Sequence, residues 1–509
     1  MRVSGYGLVI GLEGQGSGKC PQSVSEYLQK EIKRAQLAGA EWAEGLSVPE
    51  LIRSPSSAAV FVQADIPPAV TKGTSFDVFV QAVDMDVKSL AGGRLLPCNL
   101  RLATSARPDP QARVLARAEG RVFTNPFARG DAATSDADPR RGRILGGGRS
   151  TEDRRIQLIT VSPSYSHVQQ ITRSVNTRFG GARKIADPAS PTNIVLTVPA
   201  AYRHREERFL ELVTHLPLAE STLALEMRAK QLNDELARPN APYEDVALGL
   251  EAIGASVIPL VRKHYAHRQR ATSFYAARVG ARLGDDLATE VLAQHATDKS
   301  KSPYQYPAIQ ELGDIASSAI ASGALRSLLD HEDPRVRIQA YEALRKQDGS
   351  AVRSIMVGRD NFVLDVVDSN KAGLIYARRT GEQRIAIFGR FLKCRPPLLY
   401  SRENRPVTVS AHADQDHVVV LRKSASGRRI WDPVRTSPAV SELVRVLGDE
   451  PDSTPGGEVK GLGLSYVVIL DVLSALCESG GIPADFRMEQ VGADLGPAEP
   501  LMRPESDEL

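Results

Sequence analysis

The chain of 509 residues carries 64 basic and 61 acidic side chains, a formal charge of +3, with 42% hydrophobic and 25% charged residues. That composition is that of a folded soluble protein with two to four domains. The near-balance of charge argues against a dedicated nucleic-acid binder. No run approaches the about 18 consecutive apolar residues that a membrane-spanning helix needs, so the chain reads as not membrane-spanning. Four cysteines, Cys20, Cys98, Cys394 and Cys477, lie far apart, with no paired short spacing for zinc or redox chemistry and no disulfide framework.

The first feature along the chain is glycine-rich: Gly5-Tyr6-Gly7-Leu8-Val9-Ile10-Gly11-Leu12-Glu13-Gly14-Gln15-Gly16-Ser17-Gly18-Lys19-Cys20. Its end imitates a phosphate-binding loop, which requires glycine, four residues, then Gly-Lys-Ser/Thr. Here Glu13 stands at the first glycine position and would face the phosphates with a negative charge. Cys20 stands where a hydroxyl should hold Mg²⁺, a hard ion that prefers oxygen. A nucleotide-dependent enzyme is therefore the weakest reading. The glycines instead permit tight backbone geometry.

After the opening strand through Leu8–Ile10, a polar helix spans Ser23–Gly39. Ala58–Asp65 reads as a strand stopped by Ile66-Pro67-Pro68, because proline cannot donate to a ladder. Phe76–Val83 alternates as a half-buried strand does. Further strands fit Leu95–Leu102 and Ala112–Phe123. Phe127–Arg149 is rich in Gly, Arg, Asp and Ser and reads as a flexible surface loop. Strands at Ile156–Val161 and Asn193–Val198, with helices at Ser166–Phe179 and Arg205–Leu216, complete a compact α+β module.

From Pro242 to Lys346 the pattern becomes helical and repeats. Ala252-Ile253-Gly254, Arg282-Leu283-Gly284 and Glu311-Leu312-Gly313 recur at intervals of about 30 residues, followed by Glu342-Ala343-Leu344, and Asp333-Pro334 begins a helix. Helix pairs at a fixed period stack because one pair cannot bury its apolar face alone. The segment resembles HEAT-type helical repeats, which implies an α-solenoid with a protein-binding surface. Tyr265, Phe274 and Tyr275 fit packing between repeats. Short β-type runs return at Phe362–Val367, Leu374–Ala377, Ile385–Phe388, Val407–Val409 and Val418–Leu421, predicting a small antiparallel sheet. A helix follows at Leu470–Glu478, and the acidic, proline-bearing end reads as disordered.

The fold class is thus multidomain α+β: a mixed α/β module over 1–222, helical repeats over 240–350, a small antiparallel β-rich region over 360–490 and a disordered tail over 491–509. Candidates for chemistry are few. His412-Ala413-Asp414-Gln415-Asp416-His417 has ligand-type residues, but strand alternation would put His417 opposite the others, so a hairpin loop fits better. His264 and His267 lie among basic neighbours that disfavour a cation. No Gly-x-Ser-x-Gly elbow supports a hydrolase triad. The basic stretches Arg140–Arg155 and Arg262–Arg270 read as solvated surface. No catalytic, cofactor or metal residue is assigned, and no cofactor is expected.

Gly5-Tyr6-Gly7-Leu8-Val9-Ile10-Gly11 through Gly16, Ala64-Asp65-Ile66-Pro67-Pro68, Gly73 with Phe76-Asp77-Val78, and Lys88-Ser89-Leu90-Ala91-Gly92-Gly93-Arg94-Leu95-Leu96 occur in the order and near the spacing of the bacterial flagellar P-ring protein family. The resemblance covers about residues 3–218, through Val114–Gly120, Ile171–Gly180 and Phe209–Leu212. Asp471–Leu476 with Ser479–Ile482 is similar to the family's last helix. The resemblance implies a non-enzymatic subunit of a homo-oligomeric ring around the flagellar rod, in the periplasm, with the rod and other basal-body proteins as partners and an unidentified protein partner for the helical repeats. Met1-Arg2-Val3-Ser4 runs straight into the first strand without an export signal. Taken literally this predicts a cytoplasmic protein; under the family reading it predicts a misassigned or truncated start. The alternative to a flagellar role is an envelope or cytoplasmic interaction scaffold.

Overall fold

The computed structural model describes residues 1–490 apart from 104–110, 128–137, 182, 204, 219–220, 299, 301, 316–317, 348, 350–351, 360, 403–404, 424–432 and 452–460. The tail read at 491–509 lies outside the described residues. The chain forms two compact units: Met1–Pro67 and Lys72–Glu152 join the chain from Arg353 onward, and Pro68–Thr71 joins Asp153–Val352.

The first unit opens with β1 (Arg2–Ile10), α1 (Gln22–Leu37), α2 (Val48–Arg53), β2 (Ser57–Asp65), β3 (Ser75–Ala82), β4 (Arg94–Leu102), β5 (Val114–Arg121) and β6 (Arg141–Ser150). The six strands close an antiparallel barrel in the order β1-β2-β3-β6-β5-β4. Closure leaves no open edge. Alternation explains the filling: Val60, Val62, Val78 and Val80 are buried while their neighbours Phe61, Gln63, Phe79 and Gln81 point outward. Gly5 is required by close approach, since a Cβ there would lie 2.5 Å from the carbonyl oxygen of Asn99 on β4.

The sequence reading of 127–149 as a loop is corrected in its second half. Arg141–Ser150 is a barrel strand whose Gly147 and Gly148 have no room for a side chain, with Cβ positions 2.1 Å from Ile144 and 2.4 Å from Phe76. Glycine and arginine gave this strand no apolar period, because the barrel interior is filled from its neighbours.

In the second unit β7 (Ile156–Ile159), α3 (Tyr165–Val175), β8 (Ala186–Ser190), β9 (Asn193–Leu196) and α4 (Glu206–Thr214) form a three-stranded sheet, β7-β9-β8, with helices against it. A π-helical turn, Asn176–Gly180, extends α3. The Asn176 side chain bonds the backbone of Ile185 and Ala186 at 2.8–3.0 Å. Helices α5 (Thr222–Leu236), α6 (Tyr243–Ile253), α7 (Ile258–Val261), α8 (Arg270–Arg282), α9 (Asp286–Thr297), α10 (Gln305–Asp314), α11 (Ala319–Leu328) and α12 (Pro334–Gln347) follow. Each packs against near neighbours in sequence: α5 on α6, α6 on α8, α8 on α9, α9 on α10, and α10 and α11 on α12. The three landmark glycines follow or end α6, α8 and α10. Gly254 and Gly284 take positive φ beyond helix ends, the conformation glycine adopts without a Cβ penalty. Gly313 instead admits α12, its Cβ position falling 2.8 Å from Ala343.

The rest of the first unit holds β10 (Arg353–Val357), β11 (Phe362–Val367), β12 (Gly373–Ala377), β13 (Arg384–Phe388), β14 (Leu398–Ser401), β15 (Val407–Ala411), β16 (Val418–Arg422), β17 (Val434–Thr436), α13 (Val440–Gly448), α14 (Tyr466–Glu478) and β18 (Ala484–Met488). The expected single antiparallel sheet is corrected to two sheets. One is mixed, ordered β10-β11-β13-β12-β18, with β11 parallel to β13 and β12 parallel to β18; the other, β14-β15-β16-β17, is antiparallel. Strand β13 inserts between β11 and β12. Its residues Arg384–Phe388 are all buried, and near-continuous apolar runs belong to strands covered on both faces.

Candidate functional site: charged and aromatic surfaces

The glycine-rich segment is a structural turn. Leu12 N–H donates to Ser56 O (2.9 Å), Gly14 N–H to Ser56 Oγ (3.2 Å), and Gln15 O accepts from Lys88 N–H (2.9 Å). The backbone N–H groups of Leu12 and Gly14 are thus turned to the protein. Lys19 pairs with Asp86, which raises its pKa chiefly through that hydrogen bond. Glu13 faces Arg422 of β16 at 3.4 Å.

His412–His417 is the β15–β16 hairpin connection. His417 and Asp416 approach each other at 3.1 Å. Among the described residues, no group of three or more His, Cys, Asp or Glu is placed to hold a metal ion. His264 and His267 stack edge to face, 5.9 Å apart, and burial, then His267, lowers the pKa of His264. The aromatics near them pack between helices: Tyr275 stacks on Tyr243 (5.4 Å) and Phe274 on Tyr304 (5.0 Å), while Tyr265 donates to Asp285 (2.6 Å). Two arginines of the basic stretch there are paired, Arg262 with Asp285 (2.9 Å) and Arg270 with Asp298 (2.8 Å).

Two surfaces stand out. In the second unit a groove of about 910 Å³ is lined by Arg208, Glu244, Glu251, Arg278, Arg282 and Asp314, which belong to a charge ladder whose sign alternates from helix to helix. Arg208 of α4 pairs with Glu251 of α6; Arg282 of α8 reaches Glu251 (3.5 Å) and Glu311 of α10 (2.6 Å); Arg278 of α8 reaches Glu311 (3.0 Å) and Glu244 of α6; Asp314 of α10 pairs with Lys346 of α12. Burial works against the charge on Arg282, yet Glu311 and Glu251 more than offset it and its pKa is raised. Glu244 is held below its ordinary pKa: desolvation opposes this, and the Arg278 hydrogen bond and charge outweigh it. Sequence reasoning missed the ladder. Its signal was present, since Glu251, Arg282 and Glu311 sit at or beside the three landmarks with alternating charge.

The other surface is a cleft of about 260 Å³ on the outer barrel wall. Strand register builds it: Phe61 opposes Gln81, which opposes Arg141, and one row along Gln63 opposes Phe79, which opposes Arg143. The Arg143 guanidinium lies 4.7 Å from the centre of the Phe79 ring, a cation–π distance, and Arg379 completes the rim. Asp77 beside it accepts from the backbone N–H groups of Gly146 (2.7 Å) and Gly381 (2.9 Å). The cleft thus presents guanidinium groups beside aromatic faces.

No helix among the described residues is long and apolar enough to cross a membrane. Residues 1–225 match the family model described as flagellar P-ring protein. The chain is 30% identical over 266 residues to the flagellar P-ring protein of Aquifex aeolicus (strain VF5), covering 50% of this chain and 67% of that one. It is 31% identical over 234 residues to that of Geobacter metallireducens (44% and 59%) and 33% identical over 221 residues to that of Geobacter sulfurreducens (41% and 55%). The chain thus spans between about half and two thirds of the length of these relatives. By the family match and these identities, the chain belongs to the flagellar P-ring protein family.

Proposed function

We propose that this chain is a ring-forming subunit of the flagellar basal body, surrounding the rod, and that α5–α12 act as HEAT-like repeats recruiting a further protein. As a member of the P-ring family it is a structural protein of the periplasmic basal body and not an enzyme. The family, rather than the first four residues, therefore sets the compartment. The observation that carries the reading is the family match over residues 1–225. A closed barrel suits the role, because a rigid body that buries its own strand edges leaves assembly to chosen surfaces. Electron microscopy of the protein exported to the periplasm tests it: closed rings are expected, and persistent monomers under conditions that assemble other P rings overturn it.

A second reading is a non-flagellar envelope scaffold. It is favoured by one observation, that the helical array and the two sheets after Arg353 lie beyond residues 1–225. Deleting the gene separates the two readings: loss of swimming supports the ring subunit, and unchanged motility with an altered envelope supports the scaffold.

A further inference from the structure

A second cleft on the barrel, of about 440 Å³, is lined on one side by β3 to β6 and on the other by β10, β11 and the turn between β12 and β13, and every residue lining it belongs to the first unit. Strand pairing sets arginines side by side there. Arg94 of β4 stands directly opposite Arg121 of β5, and Arg117 of β5 directly opposite Arg149 of β6. Ala116 and Ala118 are buried in the barrel, so the alternate residues Arg117, Glu119 and Arg121 face outward. Like charges directly opposite each other weaken a strand pair. A wall that carries two such pairs gains by meeting an anion.

These charges are not used up within the chain. Arg121 has a partner, Glu450 at 3.3 Å, and Glu382 is paired with Arg384. Arg94, Arg117 and Arg149 are exposed, and none of the three, nor Glu119, has an ion pair among the described residues. Three positive charges against one negative leave an excess of two. Beside them two buried amide side chains line the cleft, Asn361 at 3% and Gln383 at 9% exposure, each with an amide oxygen that has no hydrogen-bond partner. The amide nitrogen of Asn361 donates to Leu464 O (2.7 Å), which fixes its oxygen as the unmatched end. A buried acceptor without a donor destabilises the fold, and a hydroxyl group can supply the donor.

We propose that this cleft binds a phosphate monoester that carries hydroxyl groups, Arg94 and Arg149 engaging the phosphate and the hydroxyls supplying donors to Asn361 and Gln383. The phosphate follows from the charge excess: a phosphate monoester bears about −1.5 to −2 at neutral pH, whereas a single carboxylate leaves one cation unmatched. Guanidinium groups also match phosphate oxygens two at a time. The hydroxyls follow from the two amide oxygens, which an anion, itself an acceptor, cannot satisfy. Free sugar phosphates and phosphorylated inositol headgroups of lipids share this chemistry. The site belongs to each subunit alone and does not depend on ring formation.

Calorimetry with the full chain tests it, using glucose phosphorylated on its primary hydroxyl as the probe. The sugar phosphate is expected to bind, inorganic phosphate to bind at least about tenfold more weakly, and unphosphorylated glucose not to bind. Arg94→Ala and Arg149→Ala, both at exposed positions, should each weaken sugar-phosphate binding at least about tenfold without lowering the melting temperature, and Gln383→Met should narrow the gap between sugar phosphate and inorganic phosphate. Co-sedimentation with phosphatidylcholine vesicles containing phosphatidylinositol phosphate separates the two sources. Binding of the free sugar phosphate alone assigns a soluble ligand and binding of the vesicles alone a lipid headgroup, and either supports the site when both arginine variants abolish it. Binding that both arginine variants leave unchanged, inorganic phosphate held as tightly as the sugar phosphate, or no binding of either probe overturns the proposal.

Discussion

Asp77, on the third barrel strand, accepts a hydrogen bond from the backbone N–H of Gly381 at 2.9 Å, across 304 residues of chain. The same oxygen takes the N–H of Gly146 at 2.7 Å. This carboxylate thereby joins β3 and β6 to the turn between β12 and β13. The bond binds the family-matched barrel to the sheets that follow the helical array. Around it Phe123 and Leu145 of the barrel segment share one hydrophobic core with α13, α14 and both sheets, and Phe123 meets Tyr466 at 6.1 Å.

Burial raises the pKa of Asp77, and its two backbone hydrogen bonds only partly counter the effect. A carboxyl whose folded pKa lies above its unfolded value contributes stability that is full below the unfolded pKa and is lost as pH rises through the folded pKa. Asp77→Asn keeps an acceptor without the charge, so it should flatten this part of the pH profile and change neutral-pH stability by less than about 1 kcal/mol. Asp77→Ala strands two N–H groups and should cost about 1–3 kcal/mol. Urea unfolding at several pH values distinguishes the two.

The charge ladder gives a larger effect. Removing Glu311 takes the shared carboxylate from Arg278 and Arg282, which keep Glu244 and Glu251, so the cost should fall near the lower end of the about 3–5 kcal/mol for breaking a buried ion pair. Glu311→Ala should lower the unfolding midpoint accordingly. Because the folded pKa of Glu244 is lowered, its contribution is complete above the unfolded value and is lost as pH falls through the folded one. Acid should therefore loosen the second unit through the ladder, which hydrogen exchange of α6, α8 and α10 would report.

The glycine-rich segment predicts opposite outcomes for two neighbouring substitutions. Lys19→Ala should leave the melting temperature unchanged, and calorimetry should detect no ATP binding by either form. Gly5→Ala pushes a methyl against the Asn99 carbonyl and should cost about 1–3 kcal/mol, the scale for overpacking.

The thiols should be inert. Burial pushes Cys98 and Cys477 up to about 12, and Cys20 and Cys394 up to about 11. The thiolate is the nucleophile, so alkylation at pH 7.5 should run on the order of 10²-fold slower than for a free cysteine, with Cys394, the buried thiol of the four, labelled last. Rapid labelling of the native protein would contradict this.

Strands with alternating patterns were legible directly: Phe76–Val83 and Ala58–Asp65 match β3 and β2 to within a residue or two, because one face is buried and its period survives in sequence. The resemblance built on Gly5–Gly16, Ala64–Pro68 and Lys88–Leu96 identified the family, since those residues occupy turns and close approaches with few alternatives. Strand β6 was not legible: Arg141–Ser150 draws its stability from ladder pairing with β3 and β5, a non-local property. The cleft was equally hidden, because Phe61, Phe79 and Arg143 are brought into one array only by strand register. By itself, then, the sequence determined most of the local elements and the family. Tertiary structure alone decided barrel closure, the mixed order of β10 to β18 and the pairing of charges across helices, for those depend on which distant segments meet.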